Sequence, residues 1–487
     1  MTKKLKIASI SPELVQERLR FENPWWVSGT IEEEFAELPP RLYFSLFSPL
    51  IGETEIKRAV VLMGPRRVGK TVMMHHAVAE LLQSGINPQK IAFISIDNPI
   101  YLHQGLEQLF FIVRETVRIA DKKGWFIFFD EIQYLKEWEV HLKSLVDSYP
   151  GNKFIVSGSA AAALRLKTTE SGAGRFTDFM LPPLTFHEYI AMKNFGHLIR
   201  PLSISWQGNL MDFYGTINDK EINDHFLNYI NFGGYPEVIF SEKMQANPSR
   251  YIKNDIIDKV LLRDLPSLYG IQDVQELNAF FSVLAYNTGN EVSLDALSQN
   301  SGVDKNLLKK YIQYLESAFF IRVVNRVDAS AKRFLRATFY KIYLTNPSLR
   351  TALFGPINST NEHLGNLVET AIMAQWLHRD WYTPYYARWS EGSEKGEVDL
   401  IGLSAKNLKP SWAVEIKWSN RYFNNPGELK SLVQFCKKNN LPSAIVTSVD
   451  KSGTIEYDGI TLHFVTSAMY AYTVGVNTIE QKKEKNG

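Results

Sequence analysis

Ala59-Val60-Val61-Leu62-Met63-Gly64-Pro65-Arg66-Arg67-Val68-Gly69-Lys70-Thr71 is the stretch on which the fold turns. The apolar run Ala59 to Met63 is short and rich in β-branched side chains, so it reads as a buried strand. Gly64 to Thr71 then satisfies G-x-x-x-x-G-K-[ST] in full, and the amphipathic Val72 to Leu82 follows as a helix. In that context Gly64, Pro65, Arg66, Arg67, Val68, Gly69, Lys70 and Thr71 are expected to wrap a chain of phosphates. The glycines let main-chain N–H groups close on the anion at a helix N-terminus, where the helix dipole also favours negative charge. Lys70 is expected to reach the β- and γ-phosphates, and the Thr71 hydroxyl to sit on Mg²⁺. ATP and Mg²⁺ are the cofactors this loop predicts.

Working outward, Phe126 to Phe129 is a continuous apolar run that ends in Asp130-Glu131. A fully buried central strand would deliver both carboxylates at its C-terminal edge. Asp130 is assigned to magnesium and Glu131 to polarising the attacking water. The strand Ile91 to Asp97 lies between loop strand and acid strand, an order that predicts Glu131 opposite the γ-phosphate. Phe154 to Ser157 leads into Gly158-Ser159, where Ser159 is a candidate sensor of the γ-phosphate. Arg175, after Ser171-Gly172-Ala173-Gly174, is a candidate arginine finger, in cis or from a neighbouring subunit; its alternative is a solvated loop arginine. With a further strand near Phe176 to Leu181, these runs predict an α/β fold: a P-loop NTPase with a parallel sheet, AAA+-like and of the additional-strand class, over residues 58–184.

The remaining chain divides into an N-terminal helical extension (1–57), a helical lid (185–275) broken by Gly233-Gly234-Tyr235-Pro236, a winged helix (276–345), a small α/β domain (346–475) and a flexible tail (476–487). In the winged helix, Lys305, Lys309 and Lys310 lie on the second helix of a helix-turn-helix spacing, which makes DNA a candidate partner. The α/β domain carries Glu369 on a helix, Asp399 on one strand and Glu415-Ile416-Lys417 on the next, and this set resembles the restriction-endonuclease-like PD-(D/E)XK site. Strand alternation points Glu415 and Lys417 the same way. Glu369, Asp399 and Glu415 are then candidate Mg²⁺ ligands, with Lys417 orienting or activating a water against a phosphodiester. Idle carboxylates in surface ion pairs are the competing reading.

The succession Gly64 to Thr71, Phe126 to Glu131, Gly158-Ser159, Gly174-Arg175, Pro183-Leu184-Thr185-Phe186, Gly233 to Pro236 and Arg263-Asp264 resembles the large, mostly uncharacterised family of prokaryotic AAA-type ATPases with a C-terminal nuclease-like domain. The resemblance spans roughly residues 58–450 and implies that the Gly233 to Pro236 turn belongs to a lid near the adenine. Composition is compatible and narrows little. The 487 residues are 45% hydrophobic, with a net charge of +2, so any nucleic-acid contact must come from a local basic surface. The single cysteine, Cys436, excludes an intrachain disulfide and fits a reducing compartment. No apolar run is long enough to span a bilayer, and the lysines near Met1 precede no apolar stretch, so a cytoplasmic location without membrane partners is expected. The function these features predict is an Mg²⁺-dependent ATPase coupled to a DNA-binding or nuclease-like C-terminal region, for DNA processing or defence. The alternative is a nucleotide-dependent switch or scaffold that binds DNA, a protein or a second copy of itself, with an idle nuclease-like domain.

Overall fold

The computed structural model describes residues 11–486 apart from 102–103, 159–173, 207–208, 333–338, 377–378, 380–381, 392–393 and 405. Chain contacts divide it into two units, Met1–Leu181 and Pro182–Gly487.

The first unit is built on a parallel sheet of β1 (Ala59–Met63), β2 (Ile91–Ser95), β3 (Phe126–Asp130), β4 (Lys153–Gly158) and β5 (Phe176–Met180), in the spatial order β2-β3-β4-β1-β5. Every residue of β1, β3 and β4 is buried, as their apolar runs require when helices cover both faces. Helices Lys70–Gln83, Leu106–Val117 and Trp138–Ser148 make the crossovers. One expectation is corrected. The strand that separates loop strand from acid strand in space is β4, which pairs with both, whereas β2 is an edge strand paired only with β3.

Residues before β1 are part of this unit, and their side chains finish the β2 edge, whose unpaired backbone groups would otherwise be open to another chain. Asn23 accepts from Phe93 N at 2.6 Å and donates to Phe93 O at 2.9 Å, imitating a neighbouring strand. The indoles of Trp25 and Trp26 both donate to Ile91 O, at 3.0 and 2.7 Å. The two tryptophans and Asn23 thus cover the edge. Further along, Arg41 is buried and donates to Val68 O inside the loop that follows β1, at 2.5 Å.

His75, on the helix that starts at Lys70, is buried against Phe35, ring centroids 3.9 Å apart, and Phe93, 4.6 Å. Burial, then the charge of His76, holds its imidazole down at about 4. Between that value and 6.5 the unfolded chain binds a proton that the folded chain refuses, so stability falls as pH drops through this window. The full loss is about 3 kcal/mol at 1.36 kcal/mol per pKa unit. Urea unfolding from pH 7.5 to 4.5 should therefore show a steeper decline for the wild type than for His75→Gln. Parallel curves would remove His75 as the cause.

The second unit contains an antiparallel hairpin, β6 (Ile199–Trp206) and β7 (Asn209–Thr216), and one nine-stranded sheet. The sheet comprises β8 (Glu291–Ser293), β9 (Ile321–Val327), β10 (Phe339–Leu344), β11 (Tyr385–Glu391), β12 (Glu394–Leu403), β13 (Pro410–Glu415), β14 (Ser443–Ser448), β15 (Gly453–Tyr457) and β16 (Ile460–Thr466). Its order is β15-β16-β14-β13-β12-β11-β9-β10-β8. Helices Val274–Tyr286, Leu294–Ser301 and Lys305–Ser317 accompany the antiparallel trio β8, β9 and β10.

Three boundaries differ from expectation. The segment 185–275 is not wholly helical: in β6 the alternation Leu202, Ile204, Trp206 turns one face inward and forms the hairpin. Nor does that segment pack as a body of its own, since Phe186, Tyr189, Phe226 and Tyr229 share one core with Val368, Ile372, Met469 and Val476. The break expected near residue 345 is bridged, because β9 pairs with β10 over Ile321–Asn325 and with β11 over Asn325–Val327, fusing both parts into one sheet. Finally, the tail expected from 476 continues the helix Ser467–Asn486, with Val476, Thr478 and Ile479 buried and Arg379 donating to Thr478 Oγ1 at 2.8 Å. The described residues contain no helix long and apolar enough to cross a membrane.

Candidate functional site

The loop between β1 and its helix is shaped by two glycines. Gly69 holds φ +94°, and a Cβ at Gly64 would meet Leu181 O at 2.2 Å, so neither position takes a side chain without a backbone shift. Lys70 is buried, and its Nζ donates back to Gly64 O at 3.1 Å and Pro65 O at 2.8 Å. Two carbonyls therefore hold the ammonium over the mouth of the loop. Thr71 Oγ1 donates to Asp130 Oδ2 at 2.7 Å, tying the loop helix to the end of β3. Arg66 donates to the Tyr134 hydroxyl at 3.2 Å. Arg67 takes a positive φ of 64°.

Asp130 is 3% exposed, and its other oxygen, Oδ1, accepts from the Ser157 hydroxyl. The same hydroxyl oxygen accepts from Glu131 N at 3.2 Å. Burial raises the Asp130 carboxyl to about 6, helped by the adjacent Glu131, and the hydroxyls of Ser157 and Thr71 with the charge of Lys70 only partly oppose this. The Asp130 carboxylate and the Thr71 hydroxyl stand side by side as hard oxygen donors, a set that suits magnesium. Glu131 turns out of the strand with φ +54°, and its Oε2 accepts from the Gln133 amide. Ser157 was missed by sequence reading, although a small polar residue ending a buried strand is a visible signal. Arg41 had none. Ser159 lies outside the described residues.

Arg175 is corrected as a finger in cis. Its carbonyl accepts from Ala59 N at 2.9 Å, and β1 and β5 run parallel from Ala59 beside Phe176 to Met63 beside Met180. It therefore stands at the N-terminal edge of the sheet, about 13 Å along β1 from the loop at roughly 3.3 Å per residue. Its guanidinium pairs with Asp147 at 2.5 Å, and both side chains are exposed. Arg175→Ala is expected to leave ATP turnover of the isolated chain within about twofold of wild type. A tenfold loss in that isolated chain would return it to the nucleotide site in cis, and a loss confined to protein concentrations at which copies associate would place it in another copy's site.

The C-terminal carboxylates do come together, but on lysines. Lys417 Nζ lies 2.8 Å from Glu415 Oε1 and 3.2 Å from Asp399 Oδ2. Lys341, from β10, lies 2.9 Å from Glu369 Oε1, 2.8 Å from Glu397 Oε1 and 3.6 Å from Asp399 Oδ1. The Tyr343 hydroxyl also donates to Glu369 Oε1, at 2.5 Å. Burial drives Glu415 up to about 8, with Asp399 adding to the rise against Lys417. For Asp399, burial pushes upward, but Lys417 and Lys341 outweigh it and leave it below the usual range. Among the described residues no group of three or more histidine, cysteine or acidic side chains is arranged to hold a metal ion. Glu369, Asp399 and Glu415, expected to ligate Mg²⁺, have oxygens that face ammonium groups in this arrangement.

Residues 56–190 match a family model described as an AAA domain, and residues 223–360 match a domain of unknown function (DUF8612). An uncharacterized protein of Methanocaldococcus jannaschii, MJ1544, is 22% identical over 66% of this chain and 66% of its own length. An uncharacterized protein of Haemophilus influenzae is 24% identical over 72% of this chain and 80% of its own. Among solved structures, the Aeropyrum pernix ORC1 protein in complex with DNA aligns with 11% identity over 68% of this chain and 95% of that one. Its TM-score of 0.31 is too low to bear on function. The match at 56–190 and the five-stranded parallel sheet with its glycine-bounded loop fit a P-loop NTPase α/β fold over that stretch.

Proposed function

We propose that the AAA-type domain over residues 56–190 binds ATP with magnesium and hydrolyses it, and that its nucleotide state switches a partner-binding second unit. The observation that carries the reading is the 2.7 Å hydrogen bond from Thr71 to Asp130, which brings together the hydroxyl and the carboxylate that a phosphate-bound cation needs. Magnesium, when bound, neutralises charge on the phosphate oxygens and polarises them. Thr71 and Asp130 would hold it. Lys70 leaves the carbonyls of Gly64 and Pro65 for the β- and γ-phosphates. Ser157, bonded to both Asp130 and the Glu131 amide, fixes the spacing of the acid pair. Glu131 takes a proton from the attacking water, and Gln133 sets the direction of its carboxylate.

For the second unit, the lysine-filled carboxylates favour a switch over an enzyme that cuts DNA. The helices and strands between Val274 and Leu344 follow the order of a winged helix, and Lys309 and Lys310 are exposed on its helix Lys305–Ser317. Lys305 is paired with Asp295, which leaves a weak basic face for duplex DNA. A protein partner or a second copy is thereby as well suited as DNA. The test is a titration of the full chain with labelled ATP and magnesium, followed by turnover with and without duplex DNA. Saturable uptake with turnover supports the ATPase, and absence of uptake by folded protein ends it.

A further inference from the structure

We propose that Lys341 takes the place of a divalent cation among the carboxylates of the second unit, so that strand β10 closes this nuclease-like centre to metal. The cluster gathers Glu369 from the helix Leu364–Trp376, Glu397 and Asp399 from β12, and Glu415 from β13. Lys341 is 3% exposed and has Glu369, Glu397 and Asp399 around its Nζ at 2.9, 2.8 and 3.6 Å. Glu369 and Glu397 lie within hydrogen-bond distance of the ammonium, and Asp399 completes the ring at ion-pair distance.

Asp399, the residue most suited to bridge a metal, is hydrogen-bonded through Oδ2 and ion-paired through Oδ1. Oδ1 faces Lys341, while Oδ2 accepts from Ile416 N at 2.9 Å and from Lys417 Nζ at 3.2 Å. Magnesium demands near-octahedral oxygen at about 2.0–2.1 Å. Here only Glu415 Oε2 is buried without a hydrogen-bond partner. The two lysines also supply the charge that buried carboxylates must find somewhere.

The source of Lys341 matters. It does not come from β12 or β13, which carry the acidic motif, but from the antiparallel trio joined to them through β9. On β10 the residues Phe339, Lys341 and Tyr343 share one face, and both Lys341 and Tyr343 end on Glu369. The plug and the fusion of the two sheets are one device: without β9 bridging β10 to β11, the ammonium would have no fixed place among the acids.

The inference is independent of ATP, and its test uses the full chain without nucleotide. Mn²⁺ is titrated and the free ion followed by electron paramagnetic resonance. Wild type and Asp399→Asn should titrate identically, since no Mn²⁺ depends on the cluster. Lys341→Met should gain one site at least tenfold tighter, lost again in Lys341→Met/Asp399→Asn, and Mn²⁺ should raise the Tm of Lys341→Met but not of wild type. A wild-type site that disappears in Asp399→Asn overturns the proposal, whatever the variant does. So does Lys341→Met that shows neither new binding nor a Mn²⁺-dependent rise in Tm. Magnesium-dependent nicking of DNA by wild type that is lost in both Glu415→Ala and Lys417→Ala would overturn it as well.

Discussion

Lys70→Ala is expected to weaken ATP binding by at least about a hundredfold, which is about 2.8 kcal/mol at 1.4 kcal/mol per factor of ten. Lys70 is 5% exposed and shares its pocket with Asp130, whose carboxylate alone would repel a triphosphate. The ammonium contributes the charge that reverses this sign. It also needs no long search, because the carbonyls of Gly64 and Pro65 already hold it at the mouth of the loop. Exchange of two neutral acceptors for phosphate oxygens strengthens each hydrogen bond, since bonds with both partners charged are roughly twice as strong. Alanine removes the charge and leaves those two carbonyls without this donor. Fluorescence titration with a labelled ATP and magnesium measures the loss, and a thermal melt of the variant establishes that it folds. Uptake within a factor of three of wild type would show that the phosphates sit elsewhere.

The first unit was legible because its signals are local. A five-residue apolar strand, glycines at Gly64 and Gly69 and a lysine at a helix start force a narrow set of backbone paths, and β3 repeats the logic with a buried run ending in acid. Spatial order was less legible: nothing in Ile91 to Ser95 or Lys153 to Gly158 says which strand is inserted between the other two, and only crossover packing decides it. The same limit explains Arg175. Its neighbours suggested a loop close to the nucleotide, yet the register of β5 against β1 puts it at the far edge.

The second unit hid its main feature for a different reason. Asp399, Glu415 and Lys417 announce themselves through strand alternation and spacing. Lys341, in Phe339-Tyr340-Lys341-Ile342-Tyr343-Leu344, looks like the outward member of a half-buried strand. Only the pairing of β9 with both β10 and β11 turns that face onto the acids. A long-range ion pair between residues 28 to 58 positions apart leaves no periodic trace in the chain. What sequence does convey is the carboxylate motif, and the physical environment then decides whether oxygen binds metal or ammonium.

Glu131→Gln should preserve ATP binding while lowering turnover by about a hundredfold to ten-thousandfold, the usual contribution of a positioned general base. The two effects separate because Glu131 stands one residue beyond the proposed cation ligand. Asp130 keeps its bonds to Thr71 and Ser157 in the variant, so the cation and phosphate contacts persist. The Glu131 backbone amide, bonded to Ser157 at 3.2 Å, is equally unchanged. Glutamine also fills the same volume at a positive φ of 54°, adding no new backbone demand. Only the proton acceptor is lost. Removing a carboxylate beside Asp130 should moreover lower the Asp130 pKa, because Glu131 is the second cause of its rise after burial. Nucleotide affinity at pH 6 should therefore hold or improve relative to wild type while phosphate release collapses. Single-turnover phosphate release at pH 6 and pH 8, beside equilibrium binding at both, separates the two effects. Turnover within threefold of wild type would take the base role from Glu131 and leave Asp130 with magnesium as the sole acidic participants.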